Sequence, residues 1–197
     1  MAKLLDDEGQ DLLFREARSH GQWLSKEVAD DVLRRIYELM KWGPTSGNCC
    51  PARFVFLRTK QAKERLRPLL MPMNVEKTMS APLTAIVAYD LKFYDQIPRL
   101  FPHNPNMRDY FVDSRELTQS TAQRNSAMQG AYFILAARAL GLDCGPMSGF
   151  DNAALDREFF PDGQFKSNFL CNLGYGAPEA LFPRNPRLAF EEACTLL

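Results

Sequence analysis

Apolar residues recur at helical spacing between Val28 and Met40, with Val28, Val32, Leu33, Ile36, Leu39 and Met40 on one face. Asp30, Asp31, Arg34, Arg35 and Glu38 fall mainly on the other. The pattern predicts an amphipathic helix from an N-cap at Ser25 through Lys41, stopped by Gly43-Pro44. Ala52 to Leu57 and Pro82 to Tyr89 are short β-rich runs, separated by a charged helical segment from Lys60 to about Leu70. Asn168 to Tyr175 predicts a third strand. From Thr118 to Leu140 the helical pattern is long, and Met128, Ala131, Tyr132, Leu135, Ala136 and Ala139 give it a small-residue face suited to a buried central position. Strands and helices do not alternate as a doubly wound parallel sheet requires. The expected class is therefore α+β, with helices covering a small sheet.

Two segments break the periodicity. Leu91 to Ser114 is read as an irregular stretch rich in aromatics and prolines, long enough for a lid on the substrate side or a cover over the core. After Leu181, Pro183 and Pro186 flank Arg184 and Asn185, so residues 182–197 read as an extended arm. The run Gly141-Leu142-Asp143-Cys144-Gly145-Pro146-Met147-Ser148-Gly149-Phe150 reads as a helix stop at Gly141 followed by a backbone-exposing loop, before a helix start at Asp151. Its amides around Ser148 and Gly149 are expected to be free to meet a flat, polar-edged ligand.

Composition narrows the function classes. At 197 residues and 46% hydrophobic content, the chain suits one domain, 1–197, with one sizeable core. Lys plus Arg and Asp plus Glu both number 24, leaving no basic excess for a nucleic acid or an anionic lipid surface. The apolar runs are too short to span a bilayer, and Met1 to Gln10 resembles neither a secretory h-region nor a transit helix, so a cytoplasmic location is expected. Five cysteines without C-x-x-C spacing, and only His20 and His103, lead us to expect reduced thiols and no metal.

Arg18-Ser19-His20-Gly21-Gln22 combines a guanidinium with several hydrogen-bonding groups, which suits a phosphate but also an ordinary solvated helix end. Pro44-Thr45-Ser46-Gly47-Asn48 offers small hydroxyl and amide groups, and equally the usual residues of a turn. Asn74 and Lys77 share a helical face and can reach one ligand edge, or form a surface polar pair. Glycines 141, 145 and 149 do not match G-x-G-x-x-G and follow a helix, which disfavours a Rossmann site. His20 or His103 with Cys49 or Cys50 would make a thiol enzyme, a pairing of low specificity.

Taken in order, these segments and the closing Pro186-Arg187-Leu188 resemble the FMN-dependent nitroreductase family over nearly the whole chain. Asn48-Cys49-Cys50-Pro51-Ala52-Arg53-Phe54 and the Asn74-to-Lys77 stretch look most like its malonic semialdehyde reductase branch. The resemblance implies a small mixed or antiparallel sheet, a homodimer with shared sites, non-covalent FMN, and NAD(P)H as co-substrate. It places Arg18, His20 and Arg187 at the FMN phosphate, more weakly Arg184, with Ser19 and Gln22 towards the ribityl chain. Asn48 would meet the ribityl and ring edge, with Pro44 in the same loop, while Thr45 and Ser46 would approach the flavin from the partner subunit. Asn74 and Lys77 would face the pyrimidine edge, and the Pro146-Met147-Ser148-Gly149 run would present the Ser148 and Gly149 amides to N5 and O4. Phe101, His103, Arg108 and Tyr110 are candidates for the substrate side. Many nitroreductases carry Glu at Ser148, and Gln and an aromatic residue at Cys50 and Ala52. The latter differences leave room for a small aldehyde in place of nitroaromatics. A non-catalytic flavin-binding protein would share every cofactor contact.

Overall fold

A computed structural model describes residues 3–197; Met1 and Ala2 of the expected domain lie outside the described residues. Four strands, β1 (Ala52–Leu57), β2 (Leu83–Asp90), β3 (Asp143–Met147) and β4 (Phe165–Gly174), form one sheet in the order β1-β2-β4-β3. All three pairings are antiparallel. The class is α+β, as expected.

Every residue of β2 is buried, so its alternation points apolar side chains to both faces. Leu83 and Ala85 meet Leu33, Ile36, Met40 and Phe133 on one side, and Ile86 and Ala88 meet Leu66, Leu155 and Leu170 on the other. The helices that supply these residues are α1 (Asp30–Met40), α2 (Lys60–Leu66), α4 (Arg115–Ala139) and α5 (Asn152–Phe159), with Leu170 from β4, while α3 (Pro72–Ser80) packs Val75 against the second cluster. Asp151 caps α5 by accepting from the Ala154 amide at 2.9 Å, at the helix start the sequence predicts.

Four expectations are corrected. Helix α1 begins at Asp30, not after a cap at Ser25: Ala29 takes the extended cap position, and Arg58 reaches both the Val28 carbonyl at 2.8 Å and the Asp30 carboxylate. That tertiary clamp holds the preceding residues away from helix. In α4 the packed face is Thr118, Thr121, Ala122, Asn125, Ser126, Gln129, Gly130, Phe133, Ala136 and Ala137, whereas Met128, Ala131 and Ala139 are exposed. Its buried amides are satisfied: Asn125 accepts from the Ser46 amide at 2.8 Å and Gln129 from the Ala52 amide at 2.9 Å. Gly130 permits the close approach, since a Cβ there would lie 2.5 Å from the Phe169 ring.

Leu91 to Ser114 is largely helical and core-packed. It contains short helical segments at Phe93–Gln96, Ile97–Leu100, Pro105–Arg108 and Asp109–Val112, and Phe93, Ile97 and Phe111 join a cluster with Cys49, Tyr89 and Ala122. Finally, the loop expected after Leu142 contains strand β3. A proline is tolerated there because β3 is an edge strand. The helix stop itself is as read: Gly141 has φ +78°, and the Leu142 amide returns to the Ala137 carbonyl at 3.0 Å.

Candidate functional site

The N-terminal segment is stitched onto the free edge of β3. Ser19 bridges Cys144 in parallel fashion, and the His20 amide donates to the Cys144 carbonyl at 3.0 Å. This requires Gly145, where a Cβ would collide with the His20 carbonyl oxygen. Further along, the Leu24 amide donates to Tyr175 at 2.8 Å and the Ala177 amide to Gln22 at 3.0 Å. Both chain ends therefore arrive beside one strand.

A cavity of about 660 Å³ opens where they meet. Arg18, Ser19, His20 and Gln22 line it from the N-terminal segment, Asn74 and Lys77 from α3, Pro146 and Met147 from β3, and Arg184 and Arg187 from the arm. Ten of the residues singled out from the sequence thus share one wall. Ser148 and Gly149 follow directly on β3, and among the described residues their amides donate to no protein acceptor. The Gly149 carbonyl is occupied, accepting from the Met71 amide at 3.0 Å and from Asn74 Nδ2 at 3.0 Å.

The cavity is strongly cationic. Among the described residues, Arg18, Lys77, Arg138, Arg184 and Arg187 line it against a single carboxylate, Glu76. Such a surface favours an anionic ligand, and guanidinium groups suit a phosphate. Lys77 is exposed, yet its backbone is fixed: its carbonyl accepts from Trp23 Nε1 at 3.1 Å and Asn172 Nδ2 at 3.2 Å. The His20 imidazole is buried and faces the protein, with Nε2 3.3 Å from Asp143 and Nδ1 packed on Gly176, where no Cβ would fit. Its contribution to the cavity is chiefly backbone. Sequence reading missed Arg138, at the end of α4, because a lysine or arginine in a last helical turn is an ordinary feature there.

The Pro44-Thr45-Ser46-Gly47-Asn48 segment lies elsewhere in the chain. Pro44 and Asn48 line a second cavity of about 1110 Å³, with Cys50, Ala52 and Leu100. Thr45 Oγ1 accepts from the Cys50 amide at 3.2 Å, and Asn48 Nδ2 donates to the Leu100 carbonyl at 2.7 Å. Gly47, Asn48 and Cys50 have φ of +53°, +49° and +40°, so this is a pinned left-handed loop, strained at Cys50. Cys49 beneath it is buried, which pushes its thiol up to about 12 and keeps it protonated near neutral pH. That argues against a Cys49 nucleophile.

None of the four substrate-side candidates lines the cationic cavity. Phe101 packs edge-on to His103, with ring centroids 6.1 Å apart. Arg108 pairs with Asp95 at 3.0 Å and lies 5.6 Å from the Tyr94 ring centroid. Tyr110 is exposed. Among the described residues no helix is long and apolar enough to cross a membrane.

Comparison with known proteins finds the same fold and the same family elsewhere. A protein of Exiguobacterium sibiricum, a nitroreductase by description and solved in complex with FMN, superposes with a TM-score of 0.86 at 18% identity over 100% of both chains. The enone reductase CLA-ER superposes at 0.81 with 18% identity, covering 98% of this chain and 100% of that one. In sequence, a protein of Rhodopseudomonas palustris strain TIE-1 whose name is that of an NADH dehydrogenase/NAD(P)H nitroreductase is 59% identical over 100% of both chains. HadB of Ralstonia pickettii, named in the same way, is 56% identical over 93% of this chain and 95% of its own. The Nitroreductase family model matches residues 15–175, which contain the sheet, its covering helices and most of the cationic wall. The chain belongs to the nitroreductase family.

Proposed function

We propose that this chain binds FMN non-covalently in the cationic cavity and uses NAD(P)H to reduce a small electrophile, malonic semialdehyde to 3-hydroxypropionate being the favoured reaction. The observation that carries the reading is the convergence of five cationic side chains and one carboxylate on a cavity large enough for a mononucleotide, at the meeting of both chain ends. The names of the relatives and the FMN held by the Exiguobacterium neighbour support it.

The residues present fit the group. Arg18, Arg184 and Arg187 would hold the phosphate, with the 18–22 backbone beside it; Lys77 would place positive charge near the electron-rich edge of the ring, and Asn74 would steady that edge. The unpaired Ser148 and Gly149 amides are donors available to ring heteroatoms. The chemistry supplied by bound FMN is hydride transfer in two half-reactions, first from NAD(P)H and then to the electrophile. No side chain need act as a nucleophile.

The site is completed in a homodimer on this reading. The Pro44–Asn48 loop is tied to Leu100, so the loop and the 91–114 segment form one unit that one chain does not bring to its own cationic cavity. A second copy would bring that unit with Thr45, Ser46, Asn48 and the substrate-side candidates. Exposure of residues 182–197, with Phe182 and Leu188 uncovered, also favours a partner. The small Cys50 and Ala52 favour the aldehyde over bulky oxidants; nitro compounds and quinones are the alternative substrates.

Anaerobic mixing of the purified protein with NADH or NADPH should bleach its flavin, which a storage protein would not do. Steady-state turnover of malonic semialdehyde, a nitroaromatic and a quinone then ranks the oxidants. Preference for the nitroaromatic or quinone would overturn the aldehyde assignment.

A further inference from the structure

We infer that Arg138 supplies a half-buried positive charge by which the cavity selects a phosphorylated flavin over an unphosphorylated one, an inference that rests on the FMN reading above. Arg138 stands in the last turn of α4 and lines the cavity, half-buried. Its Nη1 donates to the Leu13 carbonyl at 2.9 Å. Its Nε is buried with no hydrogen-bond partner, and among the described residues no carboxylate lies within ion-pair distance of the guanidinium. A half-buried cation whose Nε is shut away from water without a partner is costly unless a nearby anion offsets its charge.

The neighbouring cations do not replace it. Arg184 and Arg187 are exposed, so water and salt screen their charges, whereas a half-buried guanidinium is screened less; Arg18 is half-buried too, but its guanidinium is tied to the Phe182 carbonyl. The other orphaned atom near the cavity, His20 Nδ1, is packed against Gly176 and turned towards the chain. Arg138 is therefore a positioning charge that acts on affinity, distinct from the groups facing the isoalloxazine ring.

The test uses full-length protein stripped of flavin and titrated with FMN and with riboflavin, which lacks the phosphate. The wild type should prefer FMN. Arg138→Gln keeps a donor for Leu13 but removes the charge; it should weaken FMN by about ten- to a hundredfold and change riboflavin by less than about twofold. Arg138→Lys should restore most of the discrimination. An unchanged FMN-to-riboflavin ratio in Arg138→Gln, or equal weakening of both flavins, would overturn the inference while leaving the cavity reading intact. Failure of both Arg138→Gln and Arg138→Met to give a folded apoprotein by circular dichroism would also overturn it, making Arg138 a structural clamp on Leu13. A wild type that does not prefer FMN would sink the cavity reading itself.

Discussion

Arg18 and Arg184 each hold the segment that carries the other: Arg18 donates to the Phe182 carbonyl, and Arg184 to the Ala17 carbonyl at 3.2 Å. The two chain ends are thus cross-tied at the mouth of the cationic cavity. The ties are near the surface, and their net worth to folding is small. Replacing Arg18 and Arg187 together by Ala should therefore leave the flavin-free melting temperature within about 3 °C of wild type but weaken FMN by roughly a hundredfold or more. Flavin absorbance per mole of purified protein checks this. A fully yellow double variant would remove the phosphate from this end of the cavity.

Gly149 and Asn74 are matched in the same way. The Asn74 side chain is buried and donates to the Gly149 carbonyl, and a Cβ at Gly149 would collide with that donating nitrogen. Gly149→Ala should displace Asn74 and cost about 1–3 kcal/mol, the usual penalty for breaking a buried hydrogen bond. Asn74→Ala should cost a similar amount, and the double variant less than the sum, because both remove one interaction. Urea midpoints of the three proteins decide it; additive losses would contradict the coupling.

Lys63 gives a pH signature. It is buried, its ammonium donates to the Met79 carbonyl at 3.2 Å and to the Ala81 carbonyl, and burial lowers its pKa to about 8 from 10.5. Between those values the unfolded chain binds more protons than the folded one, so this group makes stability rise with pH across the window from about 8 to 10.5. Cys49 acts oppositely above 9, since burial holds its proton in the folded state. Subtracting the Lys63→Met stability curve from the wild-type curve cancels Cys49 and should leave a rise from pH 8 to 10. A flat difference would mean that the two carbonyls offset the desolvation.

Arg108 tests the substrate side. Its pairing with Asp95 orients the guanidinium on the Tyr94 face. Arg108→Ala should raise KM for malonic semialdehyde by about tenfold or more and leave an uncharged quinone nearly unchanged, with flavin content preserved. Asp95→Asn, which frees the guanidinium, should leave the semialdehyde KM equal or lower. Parallel losses on both oxidants would show that Arg108 holds the core-packed segment together.

Local chemistry determined much of this protein in advance. Strand β1 begins and ends where the sequence places it, because a β-rich run is bounded by Pro51 and by the Thr59 cap of α2. The end of α4 at Gly141 and the Asp151 cap were legible for the same reason: a left-handed glycine and a capping carboxylate act within four residues of themselves. Arg18, Asn74, Lys77 and Arg187 could be singled out by residue type and order, and the fold gathers them on one cavity. Tertiary structure decided what depends on a distant neighbour. Strand β3 exists despite Gly145-Pro146 because β4 pairs with it and the edge position forgives the proline. The buried face of α4 is rotated from the apolar one because Ser46 and Ala52, far along the chain, satisfy Asn125 and Gln129. Arg138 looked like an ordinary helix-end cation, and only the absence of a partner for its buried Nε sets it apart. That is a property of burial and three-dimensional distance, which no local pattern of residues encodes.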